Sequence, residues 1–210
     1  MTTESTKTIS VLLVEDHEVT LHGLHAALSK EDGIEVVGTA STSDDGLRLA
    51  KELRPQVVLL DLHLPGSMGP RSMVKSFCDM KSMRVVIFSV ENRPAYVETI
   101  LELGPAGYLL KSESLSTVAQ AIRKVAAGGA GRVLSEQLEP STVTKLTQTE
   151  HDLLKMLARG MKYQTIAERR HTSPETIRKQ CDTLMLKLRL DNREELISWA
   201  ATNGYAALEL

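Results

Sequence analysis

The chain has 210 residues, with 25 Lys+Arg against 27 Asp+Glu for a formal net charge of −2, and it is 42% apolar but only 3% aromatic. That length suggests two domains with aliphatic cores. No apolar run approaches the roughly 18 residues of a membrane helix, and the N-terminus is polar rather than a signal peptide. Cys78 and Cys181 make neither a disulfide framework nor a zinc spacing, so a protein of the cytoplasm is expected.

Residues 9–14, Ile-Ser-Val-Leu-Leu-Val, read as a buried strand ending in Glu15-Asp16-His17. An amphipathic helix follows, with Val19, Leu21, Leu24, Ala27 and Leu28 expected inward, and it stops near Asp32-Gly33. Residues 34–40 form a second strand. Ser43 and Asp44 are N-cap candidates for a helix through Leu47, Leu49, Ala50 and Leu53, ended by Pro55. The stretch Gln56-Val-Val-Leu-Leu-Asp61-Leu-His63-Leu-Pro-Gly66 organises this half of the chain. A continuous branched run bounded by turn residues predicts a strand buried on both faces, with Asp61 at its carboxyl end. A helix over about 70–80, a strand over 84–90 ending in Ser89, a helix over about 94–103, a short strand at 107–110 and a helix over 114–127 complete the pattern. Strand and helix alternating five times predict a parallel sheet with helices on both faces and right-handed crossovers.

The polar residues fall where ligands bind in such sheets. Glu15 and Asp16 follow the first strand, Asp61 the third, Ser89 ends the fourth and Lys111 follows the fifth, so all five meet at one carboxyl edge. Carboxylates gathered there repel one another unless a divalent cation sits among them. Magnesium suits an all-oxygen site completed by phosphate oxygens, whereas zinc is disfavoured by the lack of Cys or paired His. An exposed aspartate beside magnesium is a nucleophile toward phosphorus, with Lys111 and the Ser89 hydroxyl placed for phosphoryl oxygens. The expected product is an aspartyl phosphate.

Those residues, with Gly-Tyr108-Leu-Leu-Lys111, resemble the receiver domain of two-component response regulators over residues 9–127. The resemblance implies a flavodoxin-like, doubly wound, five-stranded parallel sheet. It implies that Asp61 is the phosphoacceptor and a histidine kinase the donor. Asp16, Asp61 and the His63 backbone carbonyl would hold Mg2+, with Glu15 acting through water. Ser89 and Tyr108 match the family's switch pair. Pro105 departs from the family, which has a small residue there.

Ala-Ala-Gly-Gly-Ala-Gly at 126–131 closes the last of these helices, and a linker with Pro140 and several Ser, Thr and Glu follows. The expected organisation is a receiver at 1–127, a linker at 128–143 and a small all-α domain at 144–210. Residues 1–140 hold 14 Lys+Arg and 18 Asp+Glu, a balance of −4, whereas 141–210 hold 11 and 9, a balance of +2. That asymmetry is compatible with a tail that touches nucleic acid.

The tail carries four helical patterns. Thr147 and Glu150 form a capping box ahead of inward Leu153, Leu154, Leu157 and Ala158, with Gly160 at the end. Ile166 and Ala167 mark a short second helix. Ser173 caps a third, with Pro174 at its first position and Glu175 in its first turn. On that helix Ile177, Cys181, Leu184 and Leu188 face one way, and Arg178, Lys179 and Asp182 the other. A fourth spans about 192–202. The pattern fits a helix-turn-helix, and also a bundle that never meets DNA. Leu-Thr-x-x-Glu150, Ile166-Ala167, Thr176-Ile-Arg178 and Lys187-Leu188-x-Leu-x-Asn192-Arg193 resemble the LuxR-type DNA-binding domain. The resemblance implies a recognition helix at 173–188, with Arg178 and Lys179 reaching bases or phosphates, Thr176, Asp182 and Lys187 on the same helix and Lys162 in support. It also implies dimers on paired half-sites. Departures are Gln180 where the family has histidine, and Asp182 and Leu186 where basic residues are usual. An aspartate there repels phosphate unless it accepts from a cytosine amino group, so a domain that binds a partner regulator instead of DNA is the alternative. A phosphatase with an aspartate nucleophile is a third reading, disfavoured because His63 stands where such enzymes place a second acid.

Overall fold

The computed structural model describes residues 8–128, 131–138, 146–188 and 190–207. The chain forms two compact units, one built on a sheet and one helical.

The sheet-bearing part runs β1 (Ile9–Val14), α1 (Glu18–Leu28), β2 (Ile34–Ala40), α2 (Ser43–Leu53), β3 (Val57–Leu60), α3 (Pro70–Cys78), β4 (Arg84–Ser89), α4 (Pro94–Leu101), β5 (Gly107–Leu110), α5 (Leu115–Ala126) and β6 (Val133–Leu134). The strands lie in the order β2-β1-β3-β4-β5-β6, and every pair is parallel. The branched runs have the role expected of them: all four residues of β3 and of β5 are buried. One face of the sheet packs with α1 and α5, joining Val11, Leu13, Val57, Leu59, Leu24, Leu28, Val118 and Ile122 in one cluster. Burying such a side chain stabilises by roughly 1.5–3 kcal/mol, so the mainly aliphatic core needs few aromatics; Phe88 joins the same cluster, and Phe77 and Tyr108 are also buried.

The expected five strands are all present. The sixth, β6, lies in the stretch expected as linker. It aligns Val133 with Gly107 and Leu134 with Tyr108. Beyond it the Ser135 N–H donates to Tyr108 O at 3.0 Å, and the buried Ser135 Oγ accepts from the Leu110 N–H at 2.8 Å. A Cβ on residue 107 would stand 2.8 Å from Val133 O, so glycine is what lets β6 approach. The remainder of the expected linker, including Pro140, lies outside the described residues.

Two local expectations are corrected. The N-cap of α2 is Thr42, whose Oγ1 accepts from the Asp45 N–H at 3.1 Å. Asp44 turns away to bind the loop after β3, and Ser43 is buried. Val19 is 88% exposed, because it lies five residues before Leu24, about 140° round the helix from the buried stripe. Leu53, the last residue of α2, is exposed as well.

The helical unit comprises α6 (Gln148–Ala158), α7 (Tyr163–Arg169), α8 (Pro174–Leu188), α9 (Arg193–Thr202) and a 3-10 turn at Tyr205–Ala207. Leu153, Leu154, Met156, Leu157, Ile166, Ala167, Ile177, Cys181, Leu184, Leu196 and Ala200 are buried. The capping box forms: Glu150 N–H donates to Thr147 Oγ1 at 3.3 Å and Thr147 N–H to Glu150 Oε2 at 2.6 Å. The turn from α7 into α8 passes through His171 at φ 50°, a left-handed conformation that costs a side-chain-bearing residue about 1–2 kcal/mol. It closes with the Thr172 N–H on Ala167 O at 3.0 Å, and Ser173 Oγ then accepts from the Thr176 N–H at 3.2 Å to start α8.

Candidate functional site

Register brings the acids together. Val14 aligns with Leu60, so Glu15 and Asp61 leave neighbouring strands side by side, and the Asp61 N–H donates to Val14 O at 2.9 Å. Ser89 aligns with Leu110, which fixes Lys111 at the same rim through its N–H to Ser89 O at 2.9 Å. The Lys111 side chain reaches back across β4. Its Nζ stands 2.7 Å from Glu15 Oε2 and 3.0 Å from Asp61 Oδ2. Asp61 Oδ1 accepts from the Leu62 N–H at 2.7 Å. Asp61 is only 2% exposed, which corrects the expectation of an exposed aspartate: the ammonium lies across the carboxylates and shuts them from water. Burial works against the charge on Lys111. Hydrogen bonds to Glu15 and Asp61, with their negative charge, outweigh it and raise its pKa above the ordinary lysine value.

Asp16 and His17 complete the cluster. His17 Nδ1 is 2.9 Å from Asp16 Oδ1 and 3.2 Å from Glu15 Oε1. Donor atoms of Glu15, Asp16, His17 and Asp61 lie within 4.8 Å of one another. Three carboxylates of that spacing are a hard-oxygen set that fits a divalent cation such as magnesium.

The remaining rim residues are tied to the surrounding loops. Ser89 and Tyr108, both fully buried, hold the same residue: Ser89 Oγ accepts from the Glu91 N–H at 3.2 Å and Tyr108 Oη donates to Glu91 O at 2.8 Å. The Tyr108 ring is thus held in the core by its hydroxyl. His63 is exposed on the loop after β3, which is pinned to the start of α2. Ser43 N–H donates to Pro65 O at 3.0 Å, and Ser67 donates its N–H and Oγ–H to Asp44 at 2.9 and 2.6 Å. Those bonds hold the Asp44 carboxyl below its ordinary range. Gly66 has φ 153°, and a Cβ there would fall 1.8 Å from Ser43 Oγ. Asp44, expected only as a helix cap, supports the site together with Ser67 and Ser135. Their signal, small polar residues beside strand ends, is too common in sequences to stand out.

In the helical unit Lys162, Thr176, Arg178, Lys179 and Asp182 are exposed. Two residues are explained differently than expected. Lys187 is not a free cation: its Nζ pairs with Glu150 Oε2 at 2.8 Å, linking α8 to the capping box of α6. Burial opposes ionisation of Glu150, but Lys187 and the Thr147 N–H outweigh it and lower its pKa. Gln180 Oε1 accepts from Arg170 at 3.0 Å, so the departure from histidine serves a contact inside the domain. Leu186 is 82% exposed. Arg189 lies outside the described residues.

A parallel sheet with an acidic, lysine-capped carboxyl rim, joined to a helix-turn-helix, is the architecture of a signalling regulator. Comparison with known proteins agrees over nearly the whole chain. Residues 11–123 match the response regulator receiver domain, and residues 144–200 match the luxR family of bacterial regulatory proteins. The nitrate/nitrite response regulator protein NarL of Escherichia coli (strain K12) is 34% identical over 204 residues, covering 90% of this chain and 94% of that protein. The response regulator GacA of Pseudomonas aeruginosa is 31% identical over 209 residues, covering 93% and 97%. A solved structure of two RcsB dimers bound to two parallel DNAs shares the fold, with a TM-score of 0.70 at 23% identity over 93% of this chain and 99% of that one. The chain belongs to the response regulator family, with a receiver domain followed by a LuxR-type DNA-binding domain.

Proposed function

We propose that a histidine kinase phosphorylates Asp61 and that the aspartyl phosphate controls sequence-specific DNA binding, and with it transcription. The observation that carries this reading is the reach of Lys111 Nζ to both Glu15 and Asp61, residues 96 and 50 positions away. An Asp61 Oδ attacks phosphorus while the bond to the kinase histidine breaks. Lys111 leaves the carboxylates for a phosphoryl oxygen, so the ion pair that covers Asp61 becomes the pair that holds the phosphoryl group. Asp16, Asp61 and the His63 carbonyl are the residues to hold Mg2+, with Glu15 acting through water. The ion, when bound, neutralises charge on carboxylate and phosphoryl oxygens.

Ser89 Oγ moves to a second phosphoryl oxygen. Because Ser89 and Tyr108 both grip Glu91, that movement passes to the loop after β4. A switch must favour one state by about 1.4 kcal/mol for each tenfold change in population. In the output domain, Arg178 and Lys179 make the principal contacts, Thr176 and Lys162 support them, and Asp182 selects against phosphate or accepts from cytosine. Activated copies bind as homodimers, and the protein works in the cytoplasm. Among the described residues no helix is long and apolar enough to cross a membrane. The receiver assists its own phosphotransfer and dephosphorylation and turns over no other substrate.

The exposed Leu186 beside Asp182 favours a second reading, in which α8 meets a partner regulator rather than DNA. Acetyl phosphate with magnesium should label the protein, and Asp61→Asn should not be labelled. Gel shifts over a range of salt then separate the two readings: absence of binding by phosphorylated protein even at low salt leaves only the partner.

A further inference from the structure

A cavity of about 540 Å³ opens at the edge of the sheet opposite Asp61. It lies among the first residues of β4 and β6, the loop that leads into β5 and the last turns of α3 and α5. Buried Met83 and Val125 contribute to an apolar floor, and Lys81, Arg84, Lys124 and Arg132 stand around it. Among the described residues no Asp or Glu lines it. None of the four cations makes an ion pair among the described residues.

That distribution runs against the charge of its surroundings. Residues 1–140 carry a balance of −4, yet four of their 14 cations line one hollow that no carboxylate among the described residues enters. The ordinary role for a cation at a helix C-terminus is to complement the helix dipole. It accounts for Lys124, in the last turn of α5. The Arg84 guanidinium also comes near the end of α5, 3.9 Å from a Cβ built on Gly128, but the dipole does not account for Arg132, which precedes β6. The four cations are exposed, so water screens their mutual repulsion, but together they favour an anion, and arginine's planar fork suits phosphate oxygens. A volume of this size falls within the range of small-molecule sites and exceeds what a lone phosphate needs.

We propose that this cavity binds a phosphorylated small molecule of about nucleotide size, its phosphate on Arg84 and Arg132 and its less polar part over Met83 and Val125. The site is distinct from the phosphorylation site and gives the receiver a second input.

The test is isothermal titration of the full chain with inorganic phosphate, pyrophosphate, AMP and ATP, without magnesium and at fixed ionic strength. Saturable one-to-one binding is expected, tighter for a nucleotide than for inorganic phosphate. Arg84→Gln with Arg132→Gln should weaken it by about tenfold or more, one charged hydrogen bond being worth at least that factor. Arg84→Lys with Arg132→Lys should retain part of it, and Asp61→Asn all of it. The glutamine variant should keep its circular dichroism spectrum and its labelling by acetyl phosphate. Absence of saturable binding by all four probes overturns the proposal. So does binding that is equal in the glutamine variant, that Asp61→Asn abolishes, or that chloride at the same concentration displaces. If inorganic phosphate binds as tightly as nucleotides, the site is for the free ion and the nucleotide-sized ligand is refuted. If duplex DNA competes through Arg84 and Arg132, the cavity is a nucleic-acid contact and the small-molecule reading fails.

Discussion

Replacing Lys111 with methionine keeps the bulk of its stem and removes the charge that two buried carboxylates face. With an effective dielectric of about 20, contacts at 2.7 and 3.0 Å correspond to about 6 and about 5.5 kcal/mol of gross attraction. Desolvation of three charged groups offsets most of that. What remains on deleting one partner of a buried pair is about 3–5 kcal/mol. The Lys111 side chain keeps 14% exposure, which puts the expected loss near 3 kcal/mol and lowers the receiver melting transition by roughly 10 °C. Urea unfolding in EDTA measures it. Magnesium should then restore more stability to Lys111→Met than it adds to the parent, because a second cation answers the same carboxylates. Lys111 has a folded pKa above the ordinary value of 10.5. The pairing therefore contributes fully below that pH and is lost as pH rises through the folded value, so the gap between parent and variant should close in strong alkali. A variant within about 0.5 kcal/mol of the parent in EDTA, or one that magnesium helps no more than the parent, would refute the description of this rim as a charge-compensated cluster.

Other expectations concern the loop, the output helix and a thiol. Gly66→Ala must displace Ser43 Oγ from 1.8 Å and hold a side chain at φ 153°. It should cost about 1–3 kcal/mol and slow labelling by acetyl phosphate, since the same loop carries His63. Arg178→Ala and Lys179→Ala should each weaken binding across sequences and flatten the salt dependence by about one phosphate contact, read from gel shifts. Asp182→Ala should tighten binding and blur its sequence preference. Burial pushes the Cys78 thiol up to about 11, so Ellman's reagent should react with it slowly at pH 8 in the folded protein and quickly in urea.

The strands were legible because burial on both faces leaves an unbroken branched run, as in Val57–Leu60. Polar residues at the ends of such runs in a parallel sheet must share an edge, so Glu15, Asp61, Ser89 and Lys111 could be grouped before any distance was known. Helix caps were legible where the side chain acts within its own turn, as at Thr147 and Ser173. At α2 several cap-forming residues stand in a row, and the local cap is Thr42, while Ser67 takes Asp44 from 23 residues away.

By itself the sequence determined the parallel sheet, the carboxyl-rim constellation and a helical tail of helix-turn-helix pattern, because periodicity and strand-end chemistry are local properties. Only the tertiary structure decided that Lys111 covers Asp61, that Ser89 and Tyr108 hold one residue between them, that Lys187 belongs to Glu150, and that four cations gather around a hollow at the far edge. Those depend on which long side chains find a partner across the fold. A lysine or an arginine reads the same in sequence whether it meets a carboxylate, a phosphate or water.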